Sequence, residues 1–165
     1  MTRDRISRAG MRGFTLIEML VTLSVMALLA TVAFPLTELA SQRERELELR
    51  GALRTIRAAI DTYKRDTDTG KVAKSADQSG YPPTLDALVE GVDDASDLTG
   101  QRKIYFLRRL PRDPMCRCPD EPADKTWALR SYASPPDDPE AGDDVFDIAS
   151  KSNQEALDGT YYKSW

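Results

Sequence analysis

The chain has 165 residues, of which 41% are hydrophobic and 30% charged, and its formal net charge is −4. This length suits one domain of ordinary size and is too short for a (β/α)8 barrel enzyme or a two-domain dehydrogenase. The chain contains no histidine and two cysteines, which excludes histidine-based triads, most zinc hydrolase sites and a four-cysteine metal site. Glycine-rich phosphate loops and nucleophile motifs are absent as well, so the sequence does not favour an enzyme.

The chain begins with a short basic leader, residues 1–13, followed by a long apolar segment. The leader has four arginines and one aspartate, a net charge of +3, so residues 14–165 carry −4 minus +3, which is −7. Nineteen uncharged residues separate Glu18 from Glu38, and roughly 20 apolar residues cross a bilayer as a helix. Because the basic flank of such a helix stays in the cytoplasm, segment 14–37 predicts a single membrane span with the C-terminal bulk on the other side.

Residues 38–66 have the pattern of an amphipathic helix. Apolar side chains recur every three or four residues from Leu49 to Tyr63, which is the spacing of one helical face. Only Pro35 separates this segment from the apolar one, so we expect one long helix that is kinked at the proline and ends near Gly70. Arginines and glutamates alternate at 43–50, which favours ion pairs within the helix and between subunits over nucleic-acid binding.

Residues 67–165 have the composition of a small globular domain. Thr84 is the predicted N-cap of a short helix over residues 85–91, and residues 127–133 and 145–150 are predicted to form paired strands. Residues 161–165 are predicted to be a last short strand or a packed tail. The predicted fold class is therefore α+β, with a long N-terminal helix packed on a small antiparallel sheet.

The junction between the leader and the apolar segment has three interpretations. A general secretory signal peptide would be cleaved after Ala30 or Ala33, but Glu18 interrupts its apolar region and no clean Ala-x-Ala site precedes a mature start. A plain signal-anchor helix tolerates one carboxylate near its end. The third interpretation depends on the sequence GFTLIE at residues 13–18.

That sequence resembles the class III leader of type IV pilins and pseudopilins. The resemblance implies that a prepilin peptidase cleaves between Gly13 and Phe14 on the cytoplasmic side and then methylates the new N-terminal Phe14. The mature chain would have 165 minus 13, or 152, residues. Pro35 stands where this family usually has a proline in its helix. The helix would serve first as a membrane anchor and later as the core of a filament.

Glu18 has a physical role in this third interpretation. A carboxylate in a membrane helix costs a few kcal/mol unless it is paired. Cleavage creates a positive amine on Phe14, and in a staggered filament this amine can neutralise Glu18 of a neighbouring subunit. We therefore expect Glu18 to be an assembly determinant that sets the register of an incoming subunit. The alternative is a carboxylate that reaches out to the membrane interface.

Four further segments are similar to the major pseudopilin family of type II secretion systems, the protein G type. They are YPPTLDAL at 81–88, LPRDP at 110–114, DVFDI at 144–148 and GTYYKSW at 159–165. The resemblance implies a pilin-like fold and a structural subunit, with its domain in the periplasm, that assembles into a periplasmic pseudopilus. The implied partners are other copies of the chain, other pseudopilins, the prepilin peptidase and the inner-membrane assembly platform with its ATPase, but no nucleic acid. A type IV pilus subunit, or an anchored periplasmic binding domain that never polymerises, are the alternatives.

The resemblance also implies a calcium ion in the C-terminal loop. Residues 150–160 contain only the carboxylates of Glu155 and Asp158, whereas calcium takes six to eight oxygen ligands that usually include several carboxylates. The candidate ligands are Asp158 and the backbone carbonyl of Ile148.

Two further features have no specific function assigned to them. Cys116 and Cys118 leave open a local disulfide, a disulfide between subunits or free thiols. The acidic run at 137–144 does not match a calcium-binding EF-hand loop and is predicted to be a solvated loop between strands.

Overall fold

The computed structural model describes residues 13–165, so all of the predicted leader, residues 1–13, except Gly13 lies outside the described residues. The chain divides between Ser41 and Gln42 into an N-terminal segment and a compact domain, residues 42–165. Helix α1, Leu16–Asp68, contributes to both units. The predicted long helix is confirmed, and it continues through Pro35.

The start of α1 is set by local chemistry. The hydroxyl oxygen of Thr15 accepts a hydrogen bond from the backbone N–H of Glu18 at 3.3 Å. This is the first half of a capping box, in which a threonine precedes a glutamate by three residues. Glu18 also places negative charge in the first turn, where the helix dipole favours it.

The second half of α1 forms one wall of the domain core. Leu49, Leu53, Ile56 and Ile60 are each at most 3% exposed, so the predicted apolar face is confirmed. The helix ends with the backbone N–H of Gly70 donating to Thr67 and that of Lys71 donating to Asp66. These two bonds form a Schellman motif, and Gly70, with φ of 80°, supplies the left-handed residue that the motif needs.

Two antiparallel strand pairs lie among the described residues. Strand β3, Trp127–Arg130, pairs with β4, Asp147–Ser150, in a register that places Trp127 opposite Ser150. This confirms the predicted pairing, although β3 ends at residue 130 because the N–H of Ser131 bonds instead to the carbonyl of Glu140. Strands β1, Val92–Asp93, and β2, Lys103–Ile104, form a second pair that is too short to give a periodic signal.

The remaining elements are short. Helix α2 covers Ala87–Glu90, so it is shorter than the predicted range of 85–91, and its N-cap is Asp86 rather than the predicted Thr84. The Thr84 hydroxyl accepts a hydrogen bond from the N–H of Ala87 at 3.3 Å, in the turn that leads into the helix. Residues Tyr162–Ser164 form a 3-10 turn. Of the two predicted alternatives for residues 161–165, a short strand or a packed tail, the structure therefore shows the packed tail.

The LPRDP segment at 110–114 is tied to both β3 and β4. The indole N–H of Trp127 donates to the carbonyl oxygen of Pro111 at 2.9 Å. The carboxylate of Asp113, which is 3% exposed, accepts from the hydroxyl of Ser150 at 2.6 Å. Just beyond the segment, Cys116 and Cys118 are joined in a disulfide, so the local alternative is the one observed.

The domain has one hydrophobic core, to which α1, α2, β3, β4 and the tail all contribute. Burial of a large apolar side chain, such as leucine or isoleucine, stabilises a fold by about 1.5–3 kcal/mol. Beyond the α1 face, the core includes Leu85, Leu88, Trp127, Val145, Ile148 and Tyr162.

Candidate functional site

Gly13 and Phe14, the predicted cleavage position, lie immediately before α1. Both are exposed, with 72% of Phe14 accessible to solvent. A Cβ atom placed on Gly13 would meet no described atom within 4 Å. The bond between Gly13 and Phe14 therefore lies outside the helix, and its cleavage stays a prediction.

Glu18 lies in the first turn of α1, exposed and four residues after Phe14. The structure thus brings Gly13, Phe14 and Glu18 into one short stretch, whereas Pro35 lies almost five turns further along α1. Pairing of Glu18 with a neighbouring subunit stays a prediction.

The large apolar side chains that the structure describes in the apolar segment of α1 are all exposed. From Phe14 to Leu39 these described side chains are between 43% and 79% exposed. Among residues 13–165, α1 is the helix that is long and apolar enough to cross a membrane, and none of that apolar stretch is buried. A helix that is apolar on all sides needs a surrounding of lipid or of other helices.

Three hydroxyl groups within the apolar segment donate hydrogen bonds to backbone carbonyls of the same helix. Thr22 donates to the carbonyl of Met19, and Ser24 donates to that of Leu20. Thr31 does the same with Leu28, at 2.7 Å. Because these donors are satisfied within the helix, they add little to the free-energy cost of moving the segment into hydrocarbon.

The two candidate calcium ligands lie near arginines of α1. The carbonyl oxygen of Ile148 accepts a hydrogen bond from Nη2 of Arg57 at 2.9 Å. The carboxylate of Asp158 lies 3.4 Å from Nη2 of Arg50. Hydrogen bonds from Thr160, and to a lesser degree the charge of Arg50, hold the pKa of Asp158 below its usual value. Both oxygens therefore already face positive charge from the protein.

The structure also identifies a buried carboxylate that the sequence pattern did not single out. Glu46 is 4% exposed, and its Oε1 accepts from the hydroxyl of Tyr162 at 2.9 Å and from the N–H of Leu157 at 2.8 Å. Its position in the sequence could have indicated this burial, because Glu46 lies three residues before Leu49 and continues the buried face of α1. Glu46 thus connects α1 to the C-terminal tail.

One residue of the acidic run departs from the predicted solvated loop. Burial tends to raise the pKa of Asp144, but three hydrogen bonds outweigh it and hold the pKa below its usual value. These bonds come from the hydroxyls of Ser79 and Ser131 and from the N–H of Tyr132. Asp144 thereby links the turn before α2 to the end of β3.

Two comparisons with known proteins agree with this arrangement. The family model for the prokaryotic N-terminal methylation motif matches residues 8–34. The chain is 29% identical over 112 residues to type II secretion system core protein G of Pseudomonas aeruginosa strain PAO1, an alignment covering 66% of this chain and 71% of that protein. No solved structure matches the chain.

The apolar helix, the motif at its start and the α+β domain that follows it in the chain together resemble a type IV pilin-like protein. The similarity to core protein G supports a likeness to pseudopilins of the G type.

Proposed function

We propose that this chain is a structural subunit of the pseudopilus of a type II protein secretion system. The observation that carries the proposal is the apolar first half of α1, whose described large apolar side chains are exposed, together with the GFTLIE sequence at residues 13–18 where the helix begins. The similarity to core protein G supports the assignment to a secretion system. The chain does no chemistry itself and is the substrate of a processing enzyme.

The first proposed step is insertion into the inner membrane. The helical part of the apolar segment, residues 16–37, is about 33 Å long, which exceeds the roughly 30 Å hydrocarbon core of a bilayer. The arginine-rich leader stays in the cytoplasm, and residues 42–165 lie in the periplasm. The disulfide between Cys116 and Cys118 is compatible with that oxidising compartment.

The second proposed step is processing by prepilin peptidase. Hydrolysis of the bond between Gly13 and Phe14 releases the leader and leaves an amine on Phe14, which is then methylated. Cleavage removes the +3 charge of residues 1–13, and with it the cationic anchor that opposes movement of the helix out of the membrane. The methylated amine remains positive and can still pair with a carboxylate.

The third proposed step is assembly, in which the platform and its ATPase move subunits from the lipid into a filament. The apolar surface of α1 passes from contact with lipid to contact with the helices of neighbouring subunits. Glu18 then sets the register, because a carboxylate left unpaired in this surrounding costs a few kcal/mol. Paired with a Phe14 amine at about 4 Å, it regains about 4 kcal/mol at an effective dielectric constant of about 20.

Processing is tested with wild-type chain expressed together with prepilin peptidase. We expect a product shortened by thirteen residues, as the position of Gly13 requires. Gly13→Leu should keep its leader, because the side chain obstructs the cleavage position. The matched control is Gly10→Leu, in the same leader, which should be processed normally. A wild-type chain that is never shortened would overturn the proposal.

Assembly is tested with Glu18→Ala in cells that produce the filament. The variant should be inserted and processed but incorporated poorly, whereas Glu38→Ala, beyond the apolar segment, should assemble normally. Normal incorporation of Glu18→Ala would remove the register role.

The two alternatives give different phenotypes. Loss of a type II subunit leaves secreted proteins in the periplasm, whereas loss of a type IV pilus subunit removes surface fibres and spares secretion. A chain that is anchored but never found in a filament would be a binding domain instead. Gene neighbours that encode a secretin and an assembly ATPase would favour the secretion system.

A further inference from the structure

The C-terminal loop does not have the oxygen ligands that a calcium ion needs. Of its two carboxylates, that of Asp158 is engaged by Thr160 and Arg50. In the part of the chain that the structure describes, no three acidic, cysteine or histidine side chains are grouped closely enough to hold a metal. Calcium, with its need for six to eight oxygens, therefore does not fit this loop.

Arg57 of α1 binds the oxygens at the base of the loop. Its Nε donates to Oδ1 of Asp147 at 2.7 Å, and its Nη2 donates to the backbone oxygens of Ile148 and Trp165, both at 2.9 Å. One guanidinium thus gathers a carboxylate and two backbone oxygens, which is the type of ligand that calcium prefers. The planar, permanently charged fork of arginine suits such a set.

Arg50 contacts the C-terminal loop at Asp158 and the tail at Trp165. It lies seven residues before Arg57, two turns along α1 and on the same face. Its guanidinium carbon is 4.2 Å from the centroid of the Trp165 ring, and its Nη2 is 3.4 Å from Oδ2 of Asp158. The indole N–H of Trp165 in turn donates to the hydroxyl of Thr160 at 2.6 Å.

We propose that Arg50 and Arg57, together called the arginine clamp, take the place of a calcium ion in holding the C-terminal loop against α1. A bound ion stabilises a fold only in proportion to its concentration relative to its dissociation constant. The clamp is part of the chain, so its contribution does not depend on the medium. The pseudopilin domain is then stable and competent for assembly at any periplasmic calcium concentration.

The clamp also disfavours calcium at this position. The guanidinium of Arg57 already donates a hydrogen bond to the carbonyl oxygen of Ile148, and the charged guanidinium of Arg50 lies beside the carboxylate of Asp158. A divalent cation would have to displace both contacts and approach two positive groups.

The test is hydrogen exchange, read by mass spectrometry, on the full chain in detergent micelles with calcium chloride or with the chelator EGTA. In the wild-type chain, exchange in residues 150–165 should be the same in both media. Arg57→Met should speed exchange there about tenfold, because hydrogen bonds to a charged group are lost. The matched control, Arg54→Met, removes an exposed arginine whose Nε donates to the backbone carbonyl of Arg50, and it should leave exchange unchanged.

Exchange at β1 and β2 is the internal reference, because these strands lack contact with the clamp and should exchange as in the wild type. If Arg57→Met does not fold, Arg57→Lys replaces it: one ammonium group keeps the charge but not the fork, so residues 150–165 should still exchange faster. Faster exchange of the wild-type segment in EGTA would overturn the proposal. So would equal exchange in this segment for the Arg57 variant and for Arg54→Met.

Discussion

Replacing Glu46 with alanine should loosen the attachment of the C-terminal tail to α1. In the wild-type domain, one oxygen of this buried carboxylate accepts hydrogen bonds from the hydroxyl of Tyr162 and the backbone N–H of Leu157. Alanine removes the acceptor and leaves both donors facing a buried position, since Glu46 itself is only 4% exposed. The hydroxyl oxygen of Tyr162 keeps its bond from the amide of Gln42 at 3.0 Å, but its proton has no acceptor.

The expected cost follows from these contacts. A buried donor that loses its partner costs about 1–3 kcal/mol, and two donors are affected. Alanine favours the helix by a few tenths of a kcal/mol relative to glutamate, which offsets little. We therefore expect the free energy of unfolding to fall by about 3 kcal/mol.

The assay is urea denaturation of the full chain in detergent, followed by tryptophan fluorescence, since Trp127 is 1% exposed in the folded domain. The control is Glu48→Ala, which removes an exposed carboxylate two residues along the same helix and should change stability by less than about 0.5 kcal/mol. Tyr162→Phe completes a double-mutant cycle with Glu46→Ala. Equal stabilities for Glu46→Ala and Glu48→Ala, or a coupling energy near zero in the cycle, would refute the reasoning.

Two further predictions concern stability. Burial raises the pKa of Tyr63 and Tyr162. Their contribution to the free energy of unfolding is therefore complete below the usual tyrosine pKa of about 10 and is lost as the pH rises through the raised pKa values. The urea midpoint should accordingly fall above pH 10, and an unchanged midpoint would contradict this prediction. Gly91→Ala should cost about 1–3 kcal/mol, because its φ is 77° and the new Cβ would lie 2.8 Å from the ring of Tyr105. Gly100→Ala, with a φ of 63° and open space, should cost less in the same urea titration, and the reverse order would show that the contact is unimportant.

The elements that the sequence predicted correctly depend on local patterns. The spacing of Leu49 and its successors specifies a helical face whatever covers it. The alternation in residues 127–130 similarly marks a strand. Gly70 acts within a few residues of its own position, so its role as the helix stop could be predicted. The N-cap of α2 was predicted at Thr84 but lies at Asp86.

The contacts that the sequence did not predict join residues far apart in the chain. Glu46 and Tyr162 are 116 positions apart, and Arg57 and Asp147 are 90 apart. Spacing shows which residues share a face of α1, but it does not show which distant segment covers that face. The arginines were therefore expected to pair along the helix or between subunits, whereas Arg50 and Arg57 bind the C-terminal part of their own domain.

The candidate N-terminal site could be predicted almost entirely from the sequence. Its determinants, from Gly13 to Glu18, occupy one continuous stretch, so the motif does not depend on tertiary structure. The structure adds that this stretch is exposed and that the helix starts just after the predicted cleavage position. Pairing between Glu18 and Phe14 joins two subunits, so the fold of a single chain does not determine it.

The mass of the N-terminal peptide of the chain, isolated from membranes of its own host, tests the central claim most directly. The account predicts a peptide that begins at Phe14 and carries the mass of one added methyl group. A peptide that begins at Met1 would contradict processing by a prepilin peptidase. A peptide that begins after Ala30 or Ala33 would instead show cleavage of a general secretory signal and loss of the helix that the proposed filament requires.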